Sequence, residues 1–194
     1  MTKDSIYLVL DMENDLVHAD GPNGKAGYAE QVQSRRIVEK TRRAIDKARA
    51  AGVPIGFVRV GFSADYRECP PNSPIFSGAR KNGIFKLGEW GTQVHPDLGQ
   101  RPDDFDIVKH RVSPFYSTTL EAILRAQGTR RIYCSGISTN AVVQAMVREG
   151  HDRDYEMIVL EDCCCGLTAE EHEHAIGGLR RFCRITTSDD VVFE

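Results

Sequence analysis

The chain has 194 residues, a hydrophobic fraction of 41% and a formal net charge of -3. This length and apolar content suffice for one continuous core without metals or crosslinks, so we expect a single domain over residues 1–194. The mixed charges form no basic patch, no apolar run approaches the roughly 20 residues of a membrane helix, and no signal-peptide core is visible, so we expect a cytoplasmic protein without nucleic-acid or membrane partners.

The first half of the sequence predicts two strands, one helix and a long loop. Residues 6–10 form an apolar run that ends at Asp11, which is typical of a strand buried on both faces in a parallel sheet. Apolar residues recur at helical spacing over 37–48, and residues 55–60 predict a second strand. The segment 61–91 is rich in Gly, Pro, Asn and Ser, and loops of this length commonly line a site or contact a partner.

The second half alternates strands with helices. Strands are predicted at 106–109, 131–135, 157–161 and 184–187. Three helices are predicted between these strands. The first begins with a capping box of Thr118 and Glu121, the second spans 140–150, and the third begins with a capping box of Thr168 and Glu171. This alternation predicts an α/β fold with three layers (α/β/α) and a mostly parallel, Rossmann-like central sheet. In such sheets ligands bind beyond the carboxyl ends of the strands.

Three stretches place polar residues at predicted strand ends. The first is Leu8-Val9-Leu10-Asp11-Met12-Glu13-Asn14-Asp15, the second runs from Ile107 through Lys109 to Phe115, and the third runs from Gly136 through Val142 to Asp162. Together and in this order they resemble the isochorismatase-like hydrolase superfamily, also called the cysteine hydrolase family. That superfamily includes nicotinamidases, N-carbamoylsarcosine amidases and isochorismatases, and the resemblance spans almost the whole chain.

The resemblance implies a catalytic Asp at Asp11 and a catalytic Lys at Lys109. A carboxylate and an ammonium at one sheet edge adjust each other's proton affinity, which acid/base catalysis requires. The resemblance further implies a non-proline cis peptide near Ile137-Ser138 and an oxyanion hole formed by backbone amides of the turn that contains Ile137, Ser138 and Ala141.

Val142 is the departure from the family pattern, since most members carry a nucleophilic Cys at this position. A valine cannot attack a carbonyl, and neither Ala141 nor Val143 can do so if the alignment slides by one residue. Isochorismatases proper also lack the Cys and cleave a vinyl ether by protonation from the Asp, with water completing the reaction. They carry a bulkier Tyr-Ala-His pattern at this turn, whereas Ser138-Thr139-Asn140 is closer to the amidase-type members.

Aromatic residues provide candidate walls for a substrate pocket. Phe76, Trp90, Phe115 and Tyr116 are predicted to surround a small planar substrate, because ligand pockets are mostly apolar with few polar anchors. The alternative is that they belong to the core. Asn140 is predicted as a helix N-cap that either caps the helix only or also faces the ligand.

Metal and cofactor binding are not expected. The nicotinamidase branch binds a metal through an Asp-x-His pair, and the segment 61–67 contains Asp65 but no His. Three consecutive cysteines, Cys163 to Cys165, cannot converge on one metal, so we expect them to be small buried residues. The acidic segment around His172 and His174 predicts a solvated helical face.

The leading hypothesis is an enzyme that hydrolyses a small carbonyl or enol-ether molecule by Asp/Lys acid-base chemistry with direct attack by water. One alternative is a covalent amidohydrolase that uses a relocated thiol such as Cys164, or one in which Val142 replaces a functional Cys. Another is a non-catalytic member that binds a small ligand. We expect a homo-oligomer that assembles through the loop 61–91 and exposed helices.

Overall fold

A six-stranded parallel sheet forms the centre of the protein in the computed structural model, which describes residues 4–194. The strands are β1 (Ser5–Leu10), β2 (Ile55–Val60), β3 (Phe105–Lys109), β4 (Arg131–Gly136), β5 (Glu156–Leu160) and β6 (Arg184–Thr186). Their order is β3-β2-β1-β4-β5-β6, and every neighbouring pair is parallel. The predicted parallel α/β fold is therefore confirmed, with strand bounds within about one residue of those expected.

Helices cover both faces of this sheet. The α-helices within residues 4–194 are α1 (Asn14–Val17), α2 (Ala29–Ser34), α3 (Ile37–Ala50), α4 (Ala79–Asn82), α5 (Leu120–Ala126), α6 (Gln144–Asp152) and α7 (Ala169–Leu179). Successive β1 side chains point to opposite faces, so Tyr7 and Val9 pack in one cluster with α3, while Leu8 and Leu10 pack in a second cluster with α5, α6 and α7. This two-sided burial explains the unbroken apolar run of β1.

The two predicted capping boxes have different outcomes. Thr168 Oγ1 accepts a hydrogen bond from the Glu171 amide at 3.1 Å, which confirms the cap of α7. The box predicted at Thr118 is wrong, because Thr118 Oγ1 instead donates to the Pro114 carbonyl at 2.5 Å and accepts from the Leu120 amide at 3.1 Å. The Glu121 carboxylate instead forms an ion pair with Arg125 of α5. The hydroxyl is therefore engaged in the turn before the helix.

The loop 61–91 folds over the carboxyl end of β1. Its aromatic side chains, among them Phe62, Phe76 and Phe85, form a third hydrophobic cluster. Asp15 Oδ2 accepts a hydrogen bond from the Phe85 amide at 2.6 Å, which ties the loop to the segment after β1. No helix within residues 4–194 is long and apolar enough to cross a membrane.

Candidate active site

A cavity of about 150 Å³ lies at the carboxyl ends of β1, β3 and β4. Asp11, Lys109 and the turn after β4 line it, together with apolar residues of the loop 61–91 such as Ile75 and Phe76. A larger groove of about 550 Å³ runs beside α3 and is lined in part by Arg42. That groove lies away from the strand ends, so we take the smaller cavity as the candidate active site.

Asp11 and Lys109 form an ion pair inside this cavity. Lys109 Nζ lies 2.8 Å from Asp11 Oδ2 and also donates to the Arg111 carbonyl at 3.1 Å. The two side chains are almost fully buried, with residue exposures of 5% for Asp11 and 1% for Lys109. Asp11 has a left-handed backbone with φ of 52°, and its Oδ1 atom has no hydrogen-bond partner among residues 4–194. This oxygen is therefore a buried acceptor whose hydrogen-bonding capacity is unused.

Burial shapes the proton affinity of the carboxyl groups around the pair. Removal from water raises the pKa of Asp11, although the Lys109 ammonium lowers it. Two residues later, Glu13 is fully buried, and neither of its carboxyl oxygens has a partner in the described part of the chain. Burial, followed by repulsion from Asp11, raises the pKa of Glu13 well above its usual range. A carboxyl with a raised pKa exchanges protons closer to neutral pH, as a general acid or base requires.

The turn after β4 contributes a further part of the cavity wall. Its Ile137-Ser138 peptide is cis, as the resemblance implies, and Ile137, Ser138, Ala141 and Val142 line the cavity. The Ile137 amide donates to the Leu10 carbonyl at 3.1 Å, and the Ala141 amide donates to the Ser138 carbonyl at 3.2 Å. Those two amides are therefore occupied and do not serve the predicted oxyanion hole. The Ser138 amide has no backbone partner within residues 4–194, which makes it a candidate donor.

Two polar side chains reach the cavity without having been predicted. Asn23 and Tyr28 lie in the segment between α1 and α2 and line the cavity. Burial raises the pKa of Tyr28, and the neighbouring Ser138 side chain partly offsets this rise. This segment lacks a clean helical or strand periodicity. The available signal was its position immediately after β1, at the edge where the ligand is expected.

Four of the five predicted pocket residues lie elsewhere. Phe76 lines the cavity, but Phe115 packs in the cluster beneath α5 and α6, where its ring stacks on another aromatic side chain. Trp90 is 45% exposed and Tyr116 is 60% exposed, both outside the cavity. Asn140 points to solvent from the first turn after β4. The composition of these loops indicated aromatic surfaces but not the direction in which each ring points.

The cysteines provide no substitute nucleophile at the cavity. Cys163, Cys164 and Cys165 are buried, as expected, Cys134 is buried as well, and none of the chain's cysteines lines the cavity. Burial raises the pKa of each of these four thiols, that of Cys165 to about 12. Such thiols stay protonated and are poor nucleophiles.

Comparison with known proteins agrees with this architecture. The profile of the isochorismatase domain matches residues 5–190. The chain is 31% identical over 170 residues to ureidoacrylate amidohydrolase RutB of Methylorubrum extorquens, covering 81% of this chain and 68% of that protein. It is 30% identical over 196 residues to the isochorismatase family protein YecD of Escherichia coli O157:H7, covering 98% of this chain and 95% of that protein. An isochorismatase family protein from Desulfovibrio vulgaris superimposes with a TM-score of 0.85 at 20% identity, over 96% of this chain and 95% of that one.

Proposed function

The chain belongs to the isochorismatase-like hydrolase family, and on that premise we propose that it hydrolyses a small carbonyl or enol-ether compound with Asp11 as acid/base and water as the direct nucleophile. The supporting observation is the buried Asp11–Lys109 pair, with 2.8 Å between Oδ2 and Nζ, on a cavity that Val142 also lines. The family resemblance implies the nucleophile at the position of Val142. A valine cannot form a covalent intermediate, so water has to attack the substrate itself.

With a carbonyl substrate, the Asp11 carboxylate accepts a proton from water while the water oxygen bonds to the carbonyl carbon. The developing negative charge on the carbonyl oxygen is stabilised by the Lys109 ammonium and the Ser138 amide. Asp11 then returns the proton to the leaving nitrogen or oxygen as its bond to carbon breaks.

With an enol ether, the protonated Asp11 donates to the terminal vinyl carbon, and the ether oxygen stabilises the resulting cation. Water adds to the cationic carbon and returns a proton to Asp11, and the hemiacetal then separates into an alcohol and a carbonyl compound. Burial favours this route, because it keeps a larger fraction of Asp11 protonated than in an exposed carboxyl group.

A C–N bond is the second candidate target within the carbonyl branch. It is favoured by the 31% identity to a protein named as an amidohydrolase. The covalent form of this chemistry requires a thiol at the cavity. The burial of Cys164 argues against a relocated nucleophile, so covalent amide hydrolysis would need a Cys in place of Val142.

The test compares the purified protein with Asp11→Asn on two probes, 4-nitrophenyl acetate for carbonyl hydrolysis and phenyl vinyl ether for the enol-ether route. We expect the substitution to lower kcat/KM at least ~100-fold on the probe that is turned over, with the circular dichroism spectrum retained. Intact-protein mass spectrometry during turnover should show no acyl adduct.

Three results would contradict the proposal. An unchanged rate in Asp11→Asn would remove the acid/base role, and an acyl adduct would establish covalent catalysis. Saturable binding of both probes without any Asp11-dependent conversion, measured by ligand-observed NMR, would identify a binding protein instead.

A further inference from the structure

A buried histidine lies behind the candidate active site. His172 is only 3% exposed, whereas His174 on the same helix α7 is exposed, so the prediction of a solvated face was wrong for His172. The sequence did contain the contrary signal. His172 shares a helical stripe with the buried residues Ala175, Ile176 and Leu179, which follow it at spacings of three, four and seven residues.

Both ring nitrogens of His172 have polar partners. Nδ1 lies 2.8 Å from Thr139 Oγ1, and Nε2 lies 3.0 Å from Arg35 Nη2 and 3.3 Å from Glu161 Oε2. A guanidinium only donates hydrogen bonds, so the closer partner assigns Nε2 as an acceptor and places the hydrogen on Nδ1. With its hydrogen on Nδ1, the ring donates to the Thr139 hydroxyl. Arg35 also donates to Glu161 Oε2 at 3.2 Å, which holds the guanidinium in place.

Thr139 connects this network to the cavity. It is fully buried and lies between Ile137-Ser138 and Ala141-Val142, the two pairs of residues that line the cavity. Its amide donates to the Cys165 carbonyl at 2.9 Å, and its hydroxyl meets His172. The backbone and the side chain of Thr139 are therefore both held by residues that do not line the cavity.

We propose that His172, through the Thr139 hydroxyl, is a positioning residue that fixes the turn of residues 137–142 and with it the Ser138 amide, the candidate oxyanion donor. The inference rests on the proposed function, because it assigns a supporting group to the same reaction. His172 itself does not line the cavity. Small displacements of a donor matter more in the transition state than in substrate binding, so the effect should fall on kcat.

The test uses Thr139→Val, which keeps the shape of the side chain and removes the hydroxyl. On whichever of 4-nitrophenyl acetate and phenyl vinyl ether is turned over, we expect kcat to fall at least about 10-fold with KM within about twofold of its original value. Thr139→Ser restores most of the rate because it keeps the hydroxyl. His172→Asn, which offers an amide donor near the position of Nδ1, retains more activity than His172→Leu. The matched control is His174→Asn on the exposed face of α7.

A second readout does not need turnover. In a protein carrying Val142→Cys, the rate of alkylation by iodoacetamide reports the environment of the turn. Adding Thr139→Val should slow this alkylation severalfold, whereas adding His174→Asn should leave the alkylation rate unchanged. Wild-type kcat together with an unchanged alkylation rate in the Thr139→Val proteins would overturn the positioning role. Loss of kcat in Thr139→Ser equal to that in Thr139→Val would also overturn it. Failure of the proposed function is separate, since it appears as Asp11-independent turnover or no turnover in the unmodified protein.

Discussion

Asp11 and Lys109 form a 2.8 Å ion pair although Asp11 follows β1 and Lys109 ends β3, two strands that are separated by β2. Lys109 pairs in register with Val60 at the end of β2, and Asp11 follows β1 with its amide bonded to the Val58 carbonyl at 2.8 Å. The long lysine side chain therefore crosses the end of the middle strand to reach the carboxylate. Both charges are almost fully desolvated, which makes each dependent on the other.

This dependence predicts unequal effects of single and double substitutions. Lys109→Met leaves the Asp11 carboxyl buried without its cation and should destabilise the protein by about 3–5 kcal/mol. The double variant Asp11→Asn with Lys109→Met removes both charges and should recover most of that loss without recovering turnover. Urea unfolding measures the free energies, and a Lys109→Met protein within about 0.5 kcal/mol of wild type would show that the pair is not desolvated.

Restoring the thiol tests the interpretation of position 142. The Val142 side chain lines the cavity at the start of the helix that follows β4, on the same cavity as Lys109. A Cys placed there should lose its proton readily and react with iodoacetamide faster than the native cysteines, whose burial raises their pKa values. On 4-nitrophenyl acetate we expect an acetyl adduct on Val142→Cys, detected by mass spectrometry.

The control for this variant is Val143→Cys. Val143 is the next residue and is as buried as Val142, but it does not line the cavity, so its thiol should stay unreactive. Equal alkylation of the two variants would mean that reactivity follows local unfolding rather than the environment of the site.

The parts of the site that the sequence predicts are those fixed by strand periodicity. Asp11 and Lys109 end apolar runs, and parallel strands bring such ends to one edge, so their proximity follows from the pattern. Tyr28 was not predicted because its position depends on how an irregular segment packs on the turn after β4. Trp90 was misplaced because composition identifies a loop that lines a site without specifying which of its side chains turn inward.

Glu13 provides a prediction for stability as a function of pH. Its pKa in the folded protein is raised above the unfolded value by burial, so the folded state holds the proton more tightly. Stability is therefore highest below the unfolded pKa and falls as pH rises from that value toward the folded pKa. A one-unit difference between the two values corresponds to about 1.4 kcal/mol.

Glu13→Gln keeps the size of the side chain and removes its titration, so the decline should become shallower and the stability gain over wild type should grow with pH. Urea unfolding from acid to alkaline pH measures this gap. Glu170→Gln, at an exposed position, should follow the wild-type curve. A gap between Glu13→Gln and wild type that stays constant with pH would show that Glu13 is not held protonated in the folded protein.

Gly136 ends β4 directly before the turn and offers the sharpest steric test of the site's framework. Its φ is 149°, and an added Cβ would lie 2.0 Å from the Leu10 carbonyl oxygen, its partner in the β1–β4 register. Neither atom can yield without breaking the sheet beside Asp11, so Gly136→Ala should cost about 3 kcal/mol or more. Gly177 on α7 has nothing within 4 Å of an added Cβ, and Gly177→Ala should stabilise the protein by about 0.5–1 kcal/mol. Thermal unfolding of the two variants should therefore move the midpoint in opposite directions, and a Gly136→Ala protein with the wild-type midpoint would contradict the close approach of β4 to β1.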